Sequence, residues 1–227
     1  MRIRLWCIFG ILLVTAWGGF LGTGWGQTMV LVDFSQTQGT VPPGWELLVN
    51  KGEARLQLIS EAQGRALQLR SEDASFALQK RGRIPLQGRP VLVWQWKVTQ
   101  LPAGGDFRAH HTDDQAAQLI VAFSSSRFVS YIWDSTVPRG TAGDAPAPPF
   151  RRILALVMQS GSQALGTWIT ERRNLAQDYS RLFGEAAESI EGLRIQINSQ
   201  HTHSSAESYW KSIVLTDQSN RAVQKLD

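Results

Sequence analysis

Short runs in which apolar and polar residues alternate recur along the chain, the pattern of strands with one buried face. Leu56 and Leu58 alternate with Arg55 and Gln57, Leu67 and Leu69 with Gln68 and Arg70, and Phe76 and Leu78 face away from Gln79. Leu92, Trp94, Trp96 and Val98 share one face opposite Gln95 and Lys97. Leu119, Val121 and Phe123 form another such face, and Leu193, Ile195 and Ile197 oppose Arg194, Gln196 and Asn198. Further strands are predicted at 29–34, 45–49, 128–133, 153–158, 167–170 and 209–216. Strands joined mainly by short polar turns, with no regular alternation of strand and long helix, predict an all-β fold. The form expected is an antiparallel two-sheet sandwich, jelly-roll or lectin-like.

One helix is predicted near 174–184. Asn174 suits the N-cap; Leu175, Tyr179, Leu182 and Phe183 fall at helical spacing on one stripe, and Gly184 suits the stop. A helix this short is marginal alone, so its stripe must dock on a sheet edge or close one end of the sandwich. Three connections look longer: Leu101–Asp114, Asp134–Pro149 and Ser199–Ser208. Long ordered loops on a rigid scaffold are where binding residues usually sit.

The first 26 residues interrupt this pattern. Arg2 and Arg4 precede an apolar run from Leu5 to Ala16, and the small residues Gly22, Thr23, Gly24 and Gly26 suit cleavage before Gln27. That layout is a secretory signal peptide, leaving 27–227 as a single domain in the periplasm or outside the cell, with no membrane span after cleavage. An uncleaved anchor is the competing reading, because no charge appears from Leu5 to Gln27. The single cysteine, Cys7, falls in the leader, so the mature chain has neither disulfides nor thiol chemistry.

Charge changes the picture less than it first suggests. The formal net charge of +4 loses Arg2 and Arg4 with the leader, leaving 21 basic residues against 19 acidic. That near balance gives no electrostatic footprint for nucleic acid.

Familiar catalytic signatures are missing: no G-x-S-x-G, no H-E-x-x-H and no P-loop. The four histidines fall in two loops, His110 and His111 beside Asp113 and Asp114, and His201 and His203 in the Ser199–Ser208 turn. If those loops meet, imidazoles and carboxylates can converge on a divalent metal, although the spacing matches no specific ligand motif and solvated loops collect such residues anyway. No other cofactor is indicated. Asp113 and Asp114 are adjacent and point to different sides of an extended chain, so they are not a ready-made acid/base pair. Of the mature tryptophans, Trp94 and Trp96 read as core. Trp133 and Trp168, near strand ends, are the better candidates for stacking on sugar rings, against the plainer alternative of core packing. Glu171, Arg173 and Asp178 flank the start of the helix, where Arg173 and Asp178 can form an ion pair.

The order of these segments resembles the bacterial family called domain of unknown function 3047. The resemblance runs through Trp94-Gln95-Trp96-Lys97-Val98, Asp113-Asp114-Gln115-Ala116-Ala117, Tyr131-Ile132-Trp133, Trp168, Glu171-Arg172-Arg173-Asn174, Asp178-Tyr179 and Phe183-Gly184, and covers about Asp33 to Leu215. It implies an exported single-domain protein and brings no substrate with it. Two positions depart from the family pattern: Gln118 stands where the family tends to have Arg, and Asn198-Ser199-Gln200-His201-Thr202 stands where it shows an acidic D-x-D-x-T turn. Amides in place of carboxylates weaken any hard-cation site there.

The functional expectation is a non-catalytic ligand-binding domain, with a glycan or another envelope component as partner. The alternatives are an enzyme on envelope polysaccharide, pairing Asp113 or Asp114 with Glu171 or Asp178, and a structural or partner-binding envelope protein.

Overall fold

The computed structural model describes residues 28–62 and 64–217; the leader expected over 1–26, with its cleavage site, lies outside the described residues. The described residues run in the order β1 (Met29–Asp33), β2 (Glu46–Lys51), β3 (Arg55–Glu61), β4 (Gly64–Glu72), β5 (Ser75–Pro85), β6 (Val91–Gln100), a 3₁₀ turn (His110–Thr112), β7 (Ala117–Ala122), β8 (Arg127–Asp134), β9 (Ala142–Ala145), β10 (Arg152–Ser160), β11 (Ile169–Asn174), α1 (Leu175–Phe183), β12 (Ser189–Asn198) and β13 (Ser205–Thr216). Among them no helix is long and apolar enough to cross a membrane.

These strands form the expected two-sheet sandwich. A six-stranded sheet has the order β11-β6-β13-β4-β3, with β1 also paired to β13, and a seven-stranded sheet has the order β2-β5-β12-β7-β8-β10-β9. Every neighbouring pair is antiparallel except β8 and β10, which run parallel. The chain from Asp134 to Arg152 crosses back instead of turning as a hairpin, and β9 pairs antiparallel with β10 on its outer side. The alternation pattern does not predict β9, because Ala-Gly-Asp-Ala has no β-branched or aromatic residue; its ladder with β10 holds it extended.

Between the sheets lies an indole-rich core. Trp94, Trp96 and Trp210 of the six-stranded sheet and Tyr131 and Trp133 of the facing sheet are fully buried. Trp96 sits at the centre, 5.5 Å from Trp94, 5.4 Å from Trp210 and 6.1 Å from Trp133 between ring centroids, mostly edge-on or tilted, as aromatic quadrupoles prefer.

Helix α1 closes one end of the sandwich. Asn174 caps it by accepting from the Gln177 N–H at 3.0 Å, and Gly184 ends it at φ 75° while donating to Ser180 O at 2.9 Å. Leu175 N–H donates to Pro90 O at 2.8 Å, and the Tyr179 ring packs 4.4 Å from Phe123. Strand β11 continues through Glu171 to Asn174, so that run is ladder rather than linker. The long connection Leu101–Asp114 and the first part of Asp134–Pro149 lie at the opposite end, the latter before the chain crosses back to Arg152. There Phe107 and Val137 cover Ile132, Ala155 and Val157 on the outer face of the seven-stranded sheet.

Candidate functional site

The outer face of the seven-stranded sheet carries three rows of side chains, set by ladder register. Nearest α1 lie Arg81, Gly192, Ala122, Phe128 and Ile153; across the middle lie Glu46, Gln79, Arg194, Ile120, Ser130 and Ala155; toward the long loops lie Ala77, Gln196, Gln118, Ile132 and Val157. The predicted aspartates and histidines lie at one end of this face, and an unpredicted groove lies at the other.

At the loop end, Asn198 is the hub. Its side-chain oxygen accepts from the Gln115 N–H at 3.1 Å and Gln118 Nε2 at 2.5 Å, and its Nδ2 donates to Asp113 O at 2.6 Å. An aspartate there has no hydrogen to give to the Asp113 carbonyl, so the amide is required by its partners. Gln118 and Asn198, the two positions expected to depart from the family pattern, are thus bonded to each other.

Asp114 is fully buried, and its Oδ2 accepts from Thr202 N at 2.7 Å and Thr202 Oγ1 at 2.8 Å, tying the Ser199–Ser208 turn to β7. Its Oδ1 has no hydrogen-bond partner among the described residues; His201 Nδ1 lies 3.6 Å away and 3.1 Å from Asp113 O. Asp113 accepts from Gln115 Nε2 at 3.1 Å, and burial pushes its carboxyl up to about 6.

The two histidine loops do meet: the His110 and His201 rings lie 4.9 Å apart. His203 instead turns to Asp73, 3.0 Å from its Oδ1, and His111 is exposed. Among the described residues no three His, Asp or Glu side chains are grouped to hold a metal ion. Of His110, His111, His201 and His203, whose convergence depends on the loops meeting, only His110 and His201 pair, beside Asp113 and Asp114.

The remaining predicted residues lie elsewhere. Glu171 points inward from β11 and accepts from Gln159 Nε2 at 2.6 Å, bridging the sheets, and burial raises its carboxyl above the usual range. Arg173 Nε donates to Asp178 Oδ2 at 2.8 Å, and that oxygen also accepts from Tyr131 OH at 2.9 Å, so the expected ion pair anchors α1 to β8. Neither Glu171 nor Asp178 shares a hydrogen-bond partner with Asp113 or Asp114.

Trp133 is not a stacking platform: its ring is buried beside Trp96, and its Nε1 donates to Gly161 O at 3.2 Å. Its place near a strand end misleads, because it shares the inward face of Tyr131. Trp168 lies on the outside of the six-stranded sheet and donates to Glu61 Oε2 at 2.7 Å. The Lys211 and Lys97 ammonium groups stand 4.4 and 5.0 Å from its ring centroid, so that ring is already engaged.

The α1 end holds what sequence reasoning missed, an open groove of about 640 Å³. Ile120, Phe128 and Ile153 form its apolar floor, with Gln79 and Arg194 beside them. The bulge at Gly192 shapes one wall; there φ is 152°, and a Cβ would run into the Lys80 carbonyl. The tight turn Pro148–Arg151, closed by Arg151 N–H to Pro148 O at 3.2 Å, contributes Pro148 and Arg151 to the groove. Within that turn Phe150 takes φ 65° and is 98% exposed. A signal existed: Ile120, Phe128 and Ile153 are apolar residues on the face opposite Leu119, Val129 and Leu154, where plain alternation calls for polar ones.

The model of a family described as a protein of unknown function, DUF3047, matches residues 43–214. The chain belongs to this family. No curated protein matches it. Among solved structures, a metagenome-derived glycoside hydrolase family 12 endoglucanase is similar at TM-score 0.47 and 12% identity, over 85% of this chain and 99% of that one. Endoglucanase cel12A from Rhodothermus marinus gives 0.46 and 8%, over 84% and 99%. The family 11 carbohydrate-binding module of the cellulase Lic26A-Cel5E of Clostridium thermocellum gives 0.43 and 11%, over 83% and 94%. Values this low assign this DUF3047 chain neither an activity nor a ligand.

Proposed function

We propose that this chain is an exported, non-catalytic glycan-binding β-sandwich whose ligand lies along the outer face of the seven-stranded sheet, in the groove at its α1 end. The observation that carries this reading is the lining: half-buried apolar side chains set among amide and guanidinium groups in an open groove. A sugar ring has an apolar C–H face and a rim of hydroxyls, and this mixture offers a partner to each. Phe150, held out to solvent beside the groove, presents a bare aromatic face for stacking. Nothing in its surroundings accounts for that position, because a φ of 65° is costly for a bulky residue and its ring buries no area.

The test is calorimetric titration of the full-length chain with oligosaccharides, paired with Phe150→Ala. The expected result is binding to at least one glycan, weakened about fivefold by the substitution, the equivalent of about 1 kcal/mol for one aromatic contact. Unchanged affinity in Phe150→Ala moves the ligand off this rim.

A second reading is favoured by one observation, the Asp113 carboxyl raised to about 6 beside a second carboxylate. A group with that pKa keeps its proton up to about pH 6, where an ordinary aspartate has lost it, as a hydrolase acid must. It predicts release of reducing ends from a bound glycan, abolished by Asp113→Asn. Binding without such release, under the same conditions, leaves the non-catalytic reading standing.

A further inference from the structure

The groove is cationic. Its lining holds Lys80, Arg81, Arg151 and Arg194 against one acid, Glu191. Arg81 has a partner, since its Nε lies 2.9 Å from Glu46 Oε1. Among the described residues Arg194 and Arg151 have no carboxylate within 4.0 Å. Arg194 Nε and Nη2 donate to the same amide oxygen, Gln79 Oε1, at 3.0 and 2.5 Å, while Nη1 reaches Gln196 Oε1 at 3.4 Å. Amides satisfy those donors without cancelling the charge, and part of the five-donor guanidinium fork is left over. Burial, then the neighbouring Arg151 and Arg81, pull Arg194 below the usual arginine range, and Glu46, paired with Arg81, offsets them only in part. The Arg151 guanidinium lies over the Phe128 ring at 5.8 Å, at the groove floor.

We infer that this groove takes the carboxylate of an acidic sugar, so that the ligand is a uronic-acid polysaccharide rather than a neutral one. This deepens, and rests on, the glycan reading. A half-buried guanidinium facing two others is relieved by an anion, and a planar carboxylate matches the paired N–H groups of arginine. The apolar floor and the exposed Phe150 select a sugar-bearing anion over a bare one, because a free inorganic anion gains nothing from Ile120, Phe128 or Ile153.

The experiment titrates the full-length chain with hexagalacturonate, its fully methyl-esterified form and cellohexaose, and repeats the first in Arg151→Gln and Arg194→Gln. Arg151 is exposed, so its variant keeps the fold whatever the cost of replacing Arg194. Single-stranded DNA of matched charge serves as competitor. The expected result is binding of the acid form at least tenfold tighter than the ester, weakened about tenfold by Arg151→Gln, with weak competition from DNA. Equal binding of acid and ester overturns the anionic inference and leaves glycan binding intact. Failure of all three oligosaccharides overturns both. Equal competition by DNA reduces the groove to a general polyanion surface and overturns the sugar specificity.

Discussion

The two ends of one sheet face do opposite things. At the loop end, polar groups are packed beneath loops and most bond to one another: Asn198 joins Gln115, Gln118 and Asp113, and Asp114 Oδ2 joins Thr202, while Asp114 Oδ1 is left with His201 Nδ1 3.6 Å away. At the α1 end, the guanidinium groups of Arg194 and Arg151 have no carboxylate within 4.0 Å among the described residues, and the apolar residues between them are only half covered. The first arrangement fixes two connections to a scaffold; the second leaves interactions for something else to complete. Polar residues packed beneath loops at the end of a sandwich therefore point to function less directly than positive charge and apolar surface left open on its face.

The comparison breaks first at Asn198. Replacing it with Asp removes a donor and places a charge at a site 3% exposed, so unfolding by denaturant should show a loss of about 3 kcal/mol. Adding Gln118→Arg should recover most of that loss, and a double-mutant cycle measures the coupling. If the double variant is no more stable than Asn198→Asp alone, the two positions are not a compensating pair.

Asp113 gives the next effect, and its sign follows from its raised pKa. The folded carboxyl titrates at about 6, above the roughly 3.9 of an unfolded aspartate, so the folded state holds the extra proton between those values. Stability falls as pH rises through that window, and the cost remains above it. Asp113→Asn should therefore stabilise the protein by up to about 3 kcal/mol near pH 7.5 and by nothing near pH 3.5. A gain independent of pH would mean that burial of the charge is not the cause.

The open end should respond the other way, through binding rather than stability. Phe150→Gly relieves φ 65° and should raise stability by about 1 kcal/mol while costing affinity for glycan. Arg151→Gln should change stability by no more than about 0.5 kcal/mol, since its side chain is exposed and not in an ion pair among the described residues. Thermal melts with and without ligand read both.

Much of the scaffold was legible in residue order. The run Leu92, Trp94, Trp96, Val98 announced a strand with a heavy core face, and Asn174 with Gly184 bracketed the helix that forms. Strand β9 was illegible because Ala142–Ala145 has no strand-forming side chain and depends on its partner. The groove was illegible for a related reason. Gln79, Arg194, Ile120, Phe128 and Arg151 come from separate segments and meet only through long-range register, which periodicity within a segment does not encode. The loop histidines were conspicuous in sequence, yet only His110 and His201 come together.

The most direct test of the division between the two ends is amide and side-chain chemical-shift mapping of the full-length chain during titration with hexagalacturonate. The account predicts shifts at Arg151, Arg194, Ile120 and Phe128, with Asp113, Asp114, His201 and Asn198 unmoved. Shifts confined to Asp113, Asp114 and His201 would contradict it and make the loop end the binding site.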